Sequence, residues 1–291
     1  MKIGGLEAGG TKMVCAIGNE HGEILKRYTV PTEDPATTMP KLIEFFQGEG
    51  IEALGIGCFG PIDLNKSSAT YGCITTTPKL PWQNYNIVKA FEDALHIPIG
   101  FDTDVNGAAL GEATWGAAQG KEVSLYITIG TGVGLGVCIN GKPLHGLMHP
   151  EGGHILMSRV NGDDFTCNCP YHTNCFEGLA AGPAVEKRWG KKAIELADKM
   201  EVWEMEADYI AQALTNYILT LSPNIIVLWG GVMHQEQIFP LVREKVIGYL
   251  NGYIQVDTII NHMDEYIVAP GLGDDPGIMG AFQLGLLAMA E

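Results

Sequence analysis

A two-lobed α/β protein is the fold class that this sequence predicts, and three observations carry the prediction. Stretches of strand character alternate with stretches of helical apolar spacing along most of the chain. Both halves open on the same small device, two strands joined by a turn of glycine and threonine. In one half the turn is Gly9-Gly10-Thr11-Lys12, in the other Gly130-Thr131-Gly132-Val133-Gly134. At 291 residues the chain is long enough to give each half its own core. The repeated device implies a duplicated lobe with a cleft between the copies.

Taken in order, residues 3–6 read as a strand, 8–11 as its turn, and 13–17 resume with β-forming residues. A third strand near 23–30 follows the His21-Gly22 turn. Residues 35–47 read as a helix, because Met39, Leu42, Ile43 and Phe46 stand at i, i+3, i+4 and i+7. An apolar strand over 53–59 ends at Gly60-Pro61, a helix follows over 87–95, and a short strand over 99–101. That strand delivers Asp102-Thr103-Asp104 to a helix over 105–115, with Asn106 in its first turn. Around Gly120 the pattern resets. Strands over 123–128 and 134–139 lead to a segment dense in cysteine and histidine, then to helical stretches over 184–189, 193–199 and 207–221. Residues 225–228 form a buried strand closed by Gly230-Gly231. A helix over 238–250 follows, and a last apolar helix begins at Pro276, in the first turn where proline is tolerated.

Composition bounds the function. A net charge of −16 opposes binding to a phosphate backbone, so a nucleic-acid partner is not expected. Hydrophobic content of 46% with 38 glycines suits a compact protein with many tight turns and not a disordered one. Cys15, Cys58, Cys73 and Cys138 lie singly in apolar stretches, as buried reduced thiols do, which points to a reducing compartment. The first residues carry no apolar core of a secretory signal, and no stretch approaches a membrane span. A cytoplasmic protein without membrane contact is the expectation.

The most informative segment runs from Glu151 to Glu177. His154, Cys169, His172 and Cys175 offer four nitrogen and sulfur ligands, the set that tetrahedral zinc takes. Cys169-x2-His172-x2-Cys175 can wrap one ion within a single loop, with His154 arriving from an earlier turn. Cys167 is a spare thiol, and Glu151 and Glu177 flank the set. Scattered buried cysteines and surface histidines are the plainer alternative, but three cysteines within nine residues interleaved with His oppose it.

The glycine turns suggest phosphate. Backbone N–H groups in such a turn converge on an anion, and threonine adds a hydroxyl. Either turn alone would pass as a plain hairpin; two of them, one opening each lobe, suggest a clamp on the phosphates of ATP. Gly55, Gly57 and Gly60 formally match a dinucleotide fingerprint, but that motif must open a helix, and Pro61 forbids one. No Walker-type loop is present.

Together these motifs resemble the ROK family of sugar kinases and repressors, within the actin-like ATPase superfamily. The resemblance rests on E-A-G-G-T-K at 7–12, F-G-P-I-D at 59–63, D-T-D-V-N-G-A-A-L-G-E at 102–112, I-G-T-G-V-G-L-G at 129–136, E-G-G-H at 151–154, the Cys/His cluster and W-G-G-V at 229–232. The P-Y-H zinc loop, T-D-V-N and the Glu7 opening are most similar to the fructokinases of Gram-positive bacteria. No helix-turn-helix precedes the first strand, which opposes the repressor branch.

The resemblance implies an actin-like (ribonuclease H-like) fold and ATP-dependent phosphorylation of a hexose. Its lobes would be 1–115 and 116–275, the second with the zinc loop, and a C-terminal helix over 276–291 would pack back on the first. Asp104 matches the catalytic base; its position equally suits a helix N-cap carboxylate. Gly60, Pro61, Asp63, Thr103, Asp104, Glu151, His154 and Glu177 match sugar-contacting positions. Gly9, Gly10, Thr11, Lys12, Thr131 and Gly132 would face the phosphates, and Gly230 and Gly231 the adenosine. His154 would serve twice, one nitrogen on a structural Zn2+ and the other toward the sugar. Mg2+ would accompany ATP. Glu7 stands where the family usually has Asp, so a contact to Mg2+ or water there must reach one methylene further. Thr103 replaces the Asn typical of the glucokinases, which disfavours glucose, and His172 alters the family's cysteine spacing by one residue. The expected protein is a homodimeric fructokinase. Alternatives are a broader hexokinase acting on mannose or glucose, and a sugar-binding regulator, which the intact Asp104 and phosphate turns oppose.

Overall fold

The computed structural model describes every residue except Pro78, Asn161 and Glu291. Its elements run β1 (Ile3–Ala8), β2 (Lys12–Gly18), β3 (Ile24–Pro31), α1 (Pro35–Phe46), β4 (Ala53–Cys58), α2 (Ile87–Leu95), β5 (Ile99–Thr103) and α3 (Asp104–Trp115). There follow β6 (Val123–Ile129), β7 (Val133–Ile139), β8 (Lys142–Pro143), α4 (Phe176–Ala180), α5 (Gly182–Trp189) and α6 (Met200–Leu221). The chain closes with β9 (Ile225–Trp229), α7 (Ile238–Leu250), α8 (Asp257–Asn261), α9 (Met263–Tyr266), β10 (Ile267–Val268) and α10 (Pro276–Met289). Two five-stranded sheets result, ordered β3-β2-β1-β4-β5 and β10-β9-β6-β7-β8.

By internal contacts the chain forms two units. The first holds Met1–Gly120, Gly136–Pro150 and the stretch from Gly271 onward; the second holds Lys121–Leu135 and Glu151–Pro270. Residues 136–150 therefore belong with the first unit, although the boundary read from the sequence near 115 put them in the second. Their contacts explain this. A Cβ on Gly136 would run into the Val105 carbonyl, and Val137 N–H donates to Asn106 Oδ1 at 3.4 Å, so the strand lies against α3.

In the first unit β2 pairs antiparallel with β1 and β3, while β4 pairs parallel with β1 and β5. Alternation along β1 sorts its side chains. Leu6 and Ala8 join a core with Met39, Leu42, Phe46, Trp82 and Phe91, whereas Ile3 packs with Ile278, Met279 and Phe282 of α10. The helix starts have local causes. Asp34 caps α1 by accepting the Thr37 N–H at 3.0 Å, with Pro35 in the first turn, and Pro276 opens α10. Helix α10 lies on α3, β1, β4 and β5. Glycine makes that approach feasible: a Cβ on Gly280 would strike the Gly107 carbonyl, and one on Gly55 the Ala281 carbonyl.

The second unit departs from the sequence reading at α6. One 22-residue helix replaces the separate stretch over 207–221, and 193–199 contributes only a 3-10 segment, Ala193–Leu196. Glu201, Glu204 and Glu206 obscured the apolar spacing, yet Val202, Trp203, Ala207 and Ile210 are all buried. Glu206 is buried as well, against Arg188, which is why a charged residue sits within the apolar stripe.

Candidate active site and metal centre

In the first unit the parallel strand β5 ends directly on α3, and the residue at the junction sets the helix start. Thr103 is the N-cap: its Oγ1 accepts the Asn106 N–H at 3.1 Å. Asp104 is thus the first helical residue and not the cap, because the cap hydroxyl already satisfies the N3 donor. Its Oδ1 accepts the Val105 N–H at 2.9 Å. The carboxylate stands at a helix N-terminus, where the peptide dipoles favour negative charge.

The same unit carries four further predicted positions. The β1–β2 turn is closed by Gly9 N–H donating to Lys12 O at 3.1 Å, and Thr32 Oγ1 donates to Gly9 O at 2.7 Å. Glu7 precedes it on the α10 face of β1, against Gly277. Burial pushes its carboxyl up, and Lys12 and Arg27 oppose the rise. The Gly60–Pro61 peptide is cis, and Pro61 O accepts both the Thr75 N–H and the Thr75 hydroxyl. Asp63 is engaged by its own loop: Asn65 N–H and Thr70 Oγ1 donate to it at 2.9 and 2.6 Å. Hydrogen bonds from Ser68 and Thr70 hold its carboxyl below the ordinary range.

In the second unit the β6–β7 turn closes through Gly130 N–H to Gly132 O at 2.9 Å, and Gly182 N–H donates to Gly130 O at 2.8 Å. Gly230, at φ 103°, fits against the backbone of Ile129, where a Cβ would collide. A cavity of about 440 Å3 opens there, lined by Gly130, Thr131, Gly182, Pro183, Lys192 and Gly231 among others. The sequence reading had Thr131 and Gly231 but missed Gly182, Pro183 and Lys192. Pro183 at a helix start was the available signal.

The Cys/His segment closes on itself. An antiparallel bridge between Leu156 and Cys175 returns the loop to the single 3-10 turn Gly152–His154. His154, Cys169, His172 and Cys175 then place one ligand atom each within 4.8 Å of one another. Cys169 Sγ lies 3.4 Å from His172 Nδ1 and 3.9 Å from His154 Nδ1. The Tyr171 and Gly178 N–H groups donate to the sulfurs of Cys169 and Cys175, each at 3.4 Å, as donors that support thiolates do. Tetrahedral zinc needs ligand atoms roughly 3.5 Å apart, given Zn–S and Zn–N bonds of about 2.3 and 2.0 Å, so this donor set fits that ion. Cys167 is packed against Gly178, next to Cys169 and Cys175 but outside the group of four.

Glu177, in the first turn of α4, links this cluster to the glycine turn. One carboxylate oxygen accepts the Val133 N–H, and the other lies 4.0 Å from His154 Nε2. His154 thus has Nδ1 in the cluster and Nε2 toward Glu177. Glu151 precedes the 3-10 turn and is exposed. Behind the loop, Arg188 donates to Asp163, Glu206 and Leu179 O and stacks on Phe165, so the loop has a scaffold of side chains.

Residues 3–287 match the family model described as "ROK family". The chain belongs to the ROK family. It is 49% identical to a putative fructokinase of Bacillus subtilis over 99% of this chain and 96% of that protein. To a fructokinase of Pediococcus pentosaceus it is 46% identical, over 99% of each. A ROK hexokinase from Thermus thermophilus superposes with a TM-score of 0.83 at 29% identity, covering 100% of this chain and 99% of that one. As a ROK protein, the chain has the fold class its motifs implied, an α/β chain built on two sheets. Among the described residues no helix is long and apolar enough to cross a membrane.

Proposed function

We propose that this ROK protein is a fructokinase, moving the γ-phosphoryl of ATP to the 6-hydroxyl of D-fructose to give D-fructose 6-phosphate and ADP. The observation that carries the reading is Asp104 as the first residue of α3 in a chain 46–49% identical to proteins named fructokinase or putative fructokinase. Asp104 accepts the hydroxyl proton while that oxygen bonds to the γ-phosphorus and the bridging bond to ADP breaks. Lys12 and the N–H groups of Gly10, Thr11, Thr131 and Gly132 hold phosphate oxygens, with Gly9 closing the first turn beneath them; Gly230 and Gly231 face the adenosine. Mg2+ bound with ATP would supply positive charge to the phosphates.

Gly60, Pro61, Thr103, Glu151, His154 and Glu177 orient the sugar, with Glu151 and His154 holding adjacent hydroxyls so that a mismatched sugar leaves buried partners unpaired. Asp63 contributes by shaping its loop, since Asn65 and Thr70 already occupy its oxygens. His154, Cys169, His172 and Cys175 hold a structural Zn2+ that orients His154. The working form is a cytoplasmic homodimer.

The test is ADP release by purified protein with Mg-ATP and fructose, glucose or mannose, with Asp104→Ala alongside. Turnover preferring fructose and lost in the variant supports the reading. Preference for glucose or mannose replaces it with a broader hexokinase, and no turnover on any hexose rejects it.

A further inference from the structure

The turn that presents Asp104 is held from behind by a pair of residues outside the site described above. Asp102, two residues earlier on β5, is buried, its side chain only 2% exposed. Its Oδ1 accepts two donors, the Thr103 N–H at 2.7 Å and Asn106 Nδ2 at 2.8 Å. Its Oδ2 meets His145 Nε2 at 2.8 Å. Asn106 is itself buried and passes the connection on, accepting the Val137 N–H through Oδ1. One carboxylate therefore fastens the residue before Asp104 and the residue two after it, and His145 occupies its remaining oxygen.

The arrangement is specific in its chemistry. A buried carboxylate needs its oxygens satisfied, and a donor from a ring is stiffer than one from a long side chain. The hydrogen bond to Asp102 raises the His145 pKa, against the effect of burial. His145 comes from the loop after β8 and ties that loop to this turn through its side chain. Its other face borders a cavity of about 390 Å3 lined also by Lys142, Phe101 and Leu284. With 42% of its side chain exposed, His145 can be replaced without repacking a core.

We propose that Asp102 and His145 are positioning residues that fix the strand-to-helix turn carrying Asp104. Neither touches the reacting atoms; both act through Thr103 and Asn106. Proton transfer depends steeply on where the base stands, so a looser turn lowers turnover more than binding. This inference rests on the kinase reading for its catalytic consequence, and on the hydrogen-bond geometry alone for the turn itself.

The experiment compares wild type with His145→Ala, His145→Gln, Asp102→Asn and the double variant Asp102→Asn/His145→Ala. With the hexose that the wild type uses best, His145→Ala is expected to lose about tenfold or more in kcat, with KM values within about threefold. His145→Gln, which keeps an N–H donor toward Oδ2, recovers most of it. The double variant is no worse than Asp102→Asn alone, because both changes break one connection. A kcat within twofold in His145→Ala, no recovery with Gln, or multiplying losses would each overturn the proposal. Amide hydrogen exchange at Thr103 and Asn106 is read on the same proteins and needs no activity. Faster exchange in His145→Ala supports the pair as the fastening of the turn, and unchanged exchange refutes it. A wild type inactive on every hexose would sink the kinase reading while the exchange data still decide the role of the pair.

Discussion

Glu177 accepts the main-chain N–H of Val133 at 3.0 Å and brings its other oxygen to 4.0 Å from His154 Nε2. One carboxylate thereby braces the glycine turn after β6 and faces a histidine of the Cys/His cluster. A residue used only for sugar would, when truncated, affect sugar alone. We expect Glu177→Ala to raise the KM for both ATP and hexose, each by about tenfold, since a hydrogen bond to a charged group contributes about 1.5–3 kcal/mol. Initial rates with both substrates varied test this, and an unchanged KM for ATP would show that the brace is idle.

Asp104→Asn keeps the shape of the side chain and its acceptor for the Val105 N–H, but removes the base. The expected result is a fall in kcat of about 10²–10⁴-fold with hexose affinity nearly unchanged. Calorimetric titration of the variant with sugar separates the two quantities. Lost affinity with modest loss of turnover would assign Asp104 to binding.

The four-residue Cys/His cluster predicts one zinc per chain, measured by elemental analysis, and its loss in Cys169→Ser. Because Arg188 of α5 ties Asp163 of the loop to Glu206 and to Leu179 O without help from an ion, the stripped protein should stay folded by circular dichroism. Its hexose KM should rise, as His154 loses its orientation. Stripped protein with full sugar affinity would refute that role for the metal.

Helix α10 meets α3 where Gly280 faces the Gly107 carbonyl with no room for a Cβ. Backbone cannot swing aside as a side chain can, so Gly280→Ala should destabilise by about 3 kcal/mol. Urea unfolding decides; a change below about 0.5 kcal/mol would mean the helices separate freely.

Arg188 serves two buried carboxylates, and they divide its charge unequally. Asp163 is held below its ordinary range, burial being outweighed by hydrogen bonds from Tyr209, the Phe165 N–H and Arg188. Burial pushes Glu206 up to about 8 despite Arg188. The folded state thus keeps a proton that the unfolded chain releases near 4.5. The stability from Glu206 is complete below 4.5 and lost as pH rises through about 8. Glu206→Gln, which mimics the protonated acid, should melt roughly 5 °C above wild type at pH 9 and close to it at pH 5. Parallel melting curves across that range would refute the assignment.

Local spacing made much of this protein readable. Met39, Leu42 and Phe46 mark α1 because a helix repeats every 3.6 residues, and Pro276 marks the start of α10 for want of an N–H. Cys169, His172 and Cys175 are close in sequence, so their loop can bring them together with few choices, and the structure groups them with His154. Local reading failed where an acidic residue entered an apolar stripe, as at Glu206 in α6, because its burial and its Arg188 partner 18 residues away leave no mark on local spacing.

What the sequence determined by itself is therefore the course of the main strands and helices, the glycine turns and the grouping of Cys169, His172 and Cys175, all governed by backbone geometry over a few residues. Only the tertiary structure decided that Asp102 pairs with His145, 43 residues away, and that Glu177 holds Val133, 44 residues away. It also decided that Thr103, and not Asp104, caps α3. Such contacts depend on how sheets and helices pack over long loops, and residue spacing along the chain carries no measure of that distance.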